Sequence, residues 1–240
     1  MFTMQLVTVL LFCLIHLFAG KLRFLDAIPR SRWLSFAGGV SVAYIFIHLF
    51  PEMAEIQSTF ASKDSTWLSL EHQTYFIALI GLSVFYGLER LIKGGREKQD
   101  AAQSKTVRYA FWLHLLSFAL YNALIAYLLV HRQDDAEMGL LFYAIAMSLH
   151  FLVNDYGLRQ HHKEVYRVYG RWILSAAIVV GWLLGRYLAL NENIIHGLFA
   201  FLAGSIILNV LKEELPEERK SRFLPFASGI TVFALLVYLH

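Results

Sequence analysis

Twenty-one Lys and Arg residues fall in a strict alternation along this chain, and apolar stretches near twenty residues long separate them. Taken in order, the connections carry 4, 1, 6, 1, 4, 1 and 4 basic residues. The rich ones hold Lys21, Arg23, Arg30 and Arg32; Arg90, Lys93, Arg96, Lys98, Lys105 and Arg108; Arg159, Lys163, Arg167 and Arg171; and Lys212, Arg219, Lys220 and Arg222. The poor ones hold Lys63, Arg132 and Arg186. An apolar run of about 20 residues crosses ~30 Å of hydrocarbon as a helix, and cytoplasmic loops of membrane proteins accumulate Lys and Arg. The pattern therefore predicts eight membrane-spanning helices with both termini outside the cytoplasm. The spans fall at about 3–20, 33–51, 74–92, 109–130, 138–157, 171–189, 194–212 and 223–239.

Composition agrees. The chain is 58% hydrophobic and 16% charged over 240 residues, against roughly 25% charged in a soluble domain. Eight helices use nearly all of it, so residues 1–240 are expected to form a single all-α transmembrane domain. The net charge of +3 comes from the basic loops and needs no nucleic-acid partner. Cys13, the only cysteine, lies inside the first span, which leaves no disulfide framework and no CxxC metal site. Met1–Gly20 lacks the basic start of a signal peptide, so the first helix is expected to be retained.

Spans two and seven share a pattern. Gly39 precedes His48 and Pro51–Glu52 at the same intervals at which Gly204 precedes Glu213 and Pro216–Glu217. A small residue precedes each glycine (Gly38 and Ala203), which permits close packing within or between subunits, so a homodimer is possible. The two segments are offset by five spans, so they run in opposite directions. Spans 1–3 and 6–8 would then form an inverted repeat around spans 4 and 5, an architecture found in transporters with midplane sites.

Polar side chains inside a membrane are expensive and mark candidate sites. His150 and Asn154 in span five are spaced i, i+4 and share one helix face. In span four, His114, Phe118 and Asn122 follow the same step, with Asn122 near mid-membrane. His150, Asn154 and Asn122 are the candidate metal ligands, since an imidazole and two amide oxygens can hold a transition metal transiently. Interhelical hydrogen bonding, at roughly 0.6–2 kcal/mol, is the plainer role for such groups. Asp155 points about 100° away from Asn154 around the helix. With His48, His114 and Glu52 it is a candidate for the path. His16 is expected to serve packing or a hydrogen bond, His196 the interface, His161–His162 a solvated turn, and Glu213, Glu214, Glu217 and Glu218 a solvated acidic face.

Gly38–Gly39 followed by Ile47-His48-Leu49-Phe50-Pro51-Glu52 resembles the second helix of the ZIP metal-ion permeases, and Ala203–Gly204 through Glu214-Leu215-Pro216-Glu217 resembles their seventh. The eight-span topology is also similar. The resemblance implies a ZIP-like bundle that carries zinc, iron or manganese as cargo, with metal ligands in motifs like HNxPEG and HExPE on spans four and five. Phe118-Ala119-Leu120-Tyr121-Asn122-Ala123 aligns with the first and His150-Phe151-Leu152-Val153-Asn154-Asp155 with the second. Only His150 is an identical ligand. Asn122 and Asn154 stand where the family has carboxylates, and Phe118 stands where it has His. A divalent ion needs offsetting charge in hydrocarbon, and these three ligands supply none.

The expected function is thus alternating-access transport of a divalent metal through a carboxylate-poor site, with no permanently bound cofactor. The alternatives are a ZIP-fold sensor, scaffold or subunit without transport, or a carrier of another small solute. No HExxH, GxSxG or Asp pair occurs in the spans, so an enzyme is not expected. The lipid bilayer of a plasma membrane or bacterial inner membrane is the expected surrounding.

Overall fold

In a computed structural model, residues 2–21, 32–62, 72–97, 105–132, 137–214 and 222–239 are described. Among them the chain is helical and contains no strand. The first span is α1 (Phe2–Phe18), and the second is α2 (Arg32–Tyr44) continued by α3 (Phe50–Ser62). Then follow α4 (Gln73–Glu97), α5 (Lys105–Val130), α6 (Glu137–Val165), α7 (Arg171–Tyr187), α8 (Glu192–Glu214) and α9 (Phe223–Tyr238). Seven helical stretches are long and apolar enough to cross a bilayer, as in a membrane protein, and α9 is an eighth, shorter apolar helix. Pro216, Glu217 and Glu218 lie outside the described residues, as does much of the basic segment 94–108.

Two wide turns interrupt the helices. Pro51 has no N–H, and its ring crowds the carbonyl four residues back. The backbone meets this with the π turn Ile45–Leu49, closed by the Phe50 N–H donating to the Ile45 carbonyl. A second π turn, Tyr166–Gly170, leads into α7, and Gly170 leaves room for the Tyr166 ring. Between α7 and α8 the chain needs only a short bend. Leu188 is extended, and the Asn191 side chain accepts the Asn193 N–H at 2.9 Å to start α8.

Three helix pairs approach to backbone contact through glycine. A Cβ on Gly39 would overlap the Phe226 carbonyl oxygen of α9, and one on Gly229 would overlap the Phe36 carbonyl of α2. The α4/α8 pair repeats this reciprocity. A Cβ on Gly204 would overlap the Ala78 carbonyl, and one on Gly81 the Phe201 carbonyl. In every case the blocking carbonyl lies three residues before the reciprocal glycine. Gly181 meets Ala123 in the same way across α5 and α7. The small residues at Gly39 and Gly204 are therefore used for packing inside the chain.

Contacts give the directions of the helices. Ser35 bonds the Arg222 N–H and Tyr44 packs on Phe233, so α2 and α9 run parallel. Gly81 meets Phe201 and Glu89 meets Lys212, so α4 and α8 run parallel. Along α1, Phe12 and His16 meet Phe151 and Asp155 of α6, in parallel. Phe2 meets Trp182 and Cys13 meets Ser175 of α7, in the opposite sense. These relations are those of successive spans that alternate in direction. Large apolar side chains on α1, α4 and α7, among them Leu10, Leu14, Leu79, Ile80, Val180 and Leu184, are exposed, as lipid contact requires. His16, His114, Asn122, His150, Asn154, Asp155 and Asn209 are buried instead.

Candidate functional site

The inward polar side chains gather where α1, α5, α6 and α8 meet. One helical turn carries His150 to Asn154, and the Asn154 Nδ2 lies 2.9 Å from the His150 Nε2. From α5 the Tyr121 hydroxyl reaches the same nitrogen at 2.7 Å. Asn209 of α8 neighbours that hydroxyl. This first cluster is uncharged.

Asn122, the next residue on α5, turns to α1. Its Nδ2 lies 3.0 Å from the His16 Nε2, and the His16 Nδ1 lies 2.9 Å from Asp155 Oδ2. An amide nitrogen only donates, so the His16 Nε2 accepts and the Nδ1–H donates to the carboxylate. The Tyr166 hydroxyl donates to the His16 carbonyl at 3.3 Å, and Arg159 donates to the Ala19 carbonyl at 3.0 Å, fixing the end of α1. The His16 and Asp155 side chains are 1% and 0% exposed, so this pair is dry. The second carboxylate oxygen, Oδ1, is buried with no hydrogen-bond partner. The Phe151 ring packs on both clusters, 4.9 Å from the His16 ring and 6.2 Å from the His150 ring.

His150 and Asn154 are therefore brought together, while Asn122 bonds His16. Asp155 faces away from His150 into α1. His16, expected to serve packing or a hydrogen bond, is the partner of the carboxylate. Its pairing with Asp155 spans 139 residues of chain, and spacing along one helix cannot reveal it.

His48 sits in the first π turn, within 5.5–5.9 Å of the rings of Tyr44, Phe142 and Phe233. Glu52, a turn later, lines a cavity of about 30 Å³ with Tyr44, His131, Arg132, Tyr143 and His196. That volume holds one water or a small ion. Arg132 stacks over the Tyr143 ring at 4.8 Å, and burial pushes the His131 imidazole below its ordinary pKa. His114 lies at the other end of α5, 3.3 Å from Glu89. The side chains of His161, His162, Glu213 and Glu214 are outside the described residues.

Among the described residues no three His, Cys, Asp or Glu side chains stand close enough to hold a metal together. The arrangement offers a buried carboxylate, two imidazoles, three amides and two phenols. Such Asp–His chains within a membrane bind and pass protons or cations. No protein-family model, curated protein or solved structure matches this chain.

Proposed function

We propose that the chain is a ZIP-like membrane transporter of divalent cations of the zinc, iron or manganese class, working by alternating access. His150, Asn154 and Asn122 remain the candidate ligands, and Asp155 with His16 supplies what they lack. The observation that carries the reading is the Asp155 carboxylate, dry, paired to the imidazole that Asn122 also holds, with the Tyr166 hydroxyl beside it. A carboxylate in that position offsets cation charge, and imidazole with carboxylate suits first-row metals.

Support for an inverted repeat comes from the glycine pairs. Exchanging spans two with seven and three with eight carries Gly39 onto Gly204 and Gly229 onto Gly81, and their blocking carbonyls onto one another. The exchange also carries the parallel pair α2/α9 onto the parallel pair α8/α4. Two halves related in this way can rock against each other about a central site. In this reading the basic loops face the cytoplasm and both termini lie outside.

A second reading is favoured by a different observation. The Nε2 atoms of His16 and His150, the lone pairs a metal would use, are each met by an Asn amide. A ZIP-fold protein that serves as sensor, scaffold or subunit without transport needs no open ligand. Proteoliposome uptake of zinc, iron and manganese separates the two. Transport predicts uptake that falls at least about tenfold in His150→Ala and Asp155→Asn. No uptake by the unaltered chain leaves the second reading, and uptake indifferent to both changes takes the path away from His150 and Asp155 and overturns the site.

A further inference from the structure

A second set of charged groups joins three helices at the end of the bundle that carries the basic loops. Glu89 of α4, His114 of α5 and Lys212 of α8 converge with side chains 14%, 10% and 27% exposed. Glu89 Oε1 accepts from the Lys212 ammonium at 2.8 Å and lies 3.3 Å from the His114 Nε2. Both imidazole nitrogens of His114, Nδ1 and Nε2, are buried without a hydrogen-bond partner.

The spacing of the two potential ligands is informative. Two donors bound at ~2.0–2.1 Å to one tetrahedral ion stand about 3.3 Å apart. The Glu89 oxygen and the His114 nitrogen stand at that separation, and carboxylate with imidazole is a donor pair for zinc-like ions. What fills the place of the ion is the chain's own cation. An ammonium on a four-carbon stem neutralises a carboxylate as a point charge and can swing away.

A polar thread leads to this place from the seam. The Tyr121 hydroxyl that bonds His150 is neighboured by Asn209. Asn209 is 2% exposed. Lys212 follows it by three residues on α8, on the same face.

We propose that Glu89 and His114 form a second divalent-cation site whose resident cation is the Lys212 ammonium. A metal ion leaving the seam toward the basic loops displaces Lys212 and binds between carboxylate and imidazole. Its use as an exit site rests on the transport reading, but its existence as a binding site does not.

The test is zinc binding to the full-length protein in detergent, by calorimetry at fixed pH, in a His150→Ala/Asp155→Asn background that removes the candidate ligands of the seam. Lys212→Met should raise zinc affinity by at least about tenfold, because a competing unit charge is gone. Adding Glu89→Gln should abolish the gain. Lys212→Gln, a polar neutral replacement, should reproduce the gain if the Met variant fails to fold, and Lys212→Arg should show none. An affinity unchanged by both neutral substitutions, or a gain that survives Glu89→Gln, overturns the proposal. Uptake by proteoliposomes of the unaltered chain reads the transport proposal separately, so the two can fail independently.

Discussion

At the scale of single residues, Asp155 decides what the core of the bundle can be. A carboxylate that is fully buried costs several kcal/mol unless it is paired and hydrogen-bonded. His16 supplies the donor at 2.9 Å, and Asn122 donates to the other nitrogen of that ring. Removing one partner strands the other. His16→Ala is therefore expected to destabilise the fold by about 3–5 kcal/mol, read as a lowered unfolding midpoint in detergent. The double variant His16→Leu/Asp155→Leu should recover most of that loss, because no charge is left to bury. Equal losses in the single and double variants would show that packing of the imidazole matters and its pairing does not. Spacing alone made His150 and Asn154 legible as one face, and it turned Asp155 about 100° from Asn154. It could not say that α1 lies in that direction, because the periodicity of one helix carries no information about the neighbour it meets.

At the scale of elements, glycine sets which helices can touch at backbone distance. Gly204 and Gly81 press α8 and α4 together, whereas Gly87 on α4 has no atom within 4 Å of where its Cβ would be. Substitutions at these positions should part ways. Gly204→Ala drives a methyl into the Ala78 backbone, which no rotamer relieves, and should cost about 1–3 kcal/mol. Gly87→Ala meets nothing and should be neutral or gain up to about 1 kcal/mol from helix propensity. Thermal unfolding of the two variants side by side checks the pair, and equal behaviour would mean that α4 and α8 are not in backbone contact. The Gly–Pro–Glu similarity of spans two and seven was visible as spacing. The π turn at Ile45–Leu49 was not, because Pro51 says that the helix must adjust but leaves open whether by kinking, ending or widening. Nor could the sequence pair α2 with α9. Spans that are apolar on every side present no single face from which a partner can be read.

At the scale of the whole molecule, charge in the loops and packing in the bundle bear on the same topology independently. The basic residues predict that odd and even spans run oppositely, and they do so without reference to any contact. The contacts give α2 parallel to α9, α4 parallel to α8, α1 parallel to α6 and α1 antiparallel to α7. Every one of these relations follows from strict alternation through eight spans, which a bundle that skipped one crossing would break. Relative direction is thus fixed within the bundle, while absolute orientation rests on the loop charge. The decisive measurement is sidedness in cells. With Cys13 replaced by Ser, a single cysteine at Ser65 lies in a basic-poor connection and one at Gln103 in the richest. A membrane-impermeant maleimide added outside should label Ser65→Cys and spare Gln103→Cys until the membrane is opened. The reverse pattern would invert the chain and put the Glu89–His114–Lys212 end outside, making it an entrance. Labelling of both from the same side would break the alternation on which the inverted repeat depends.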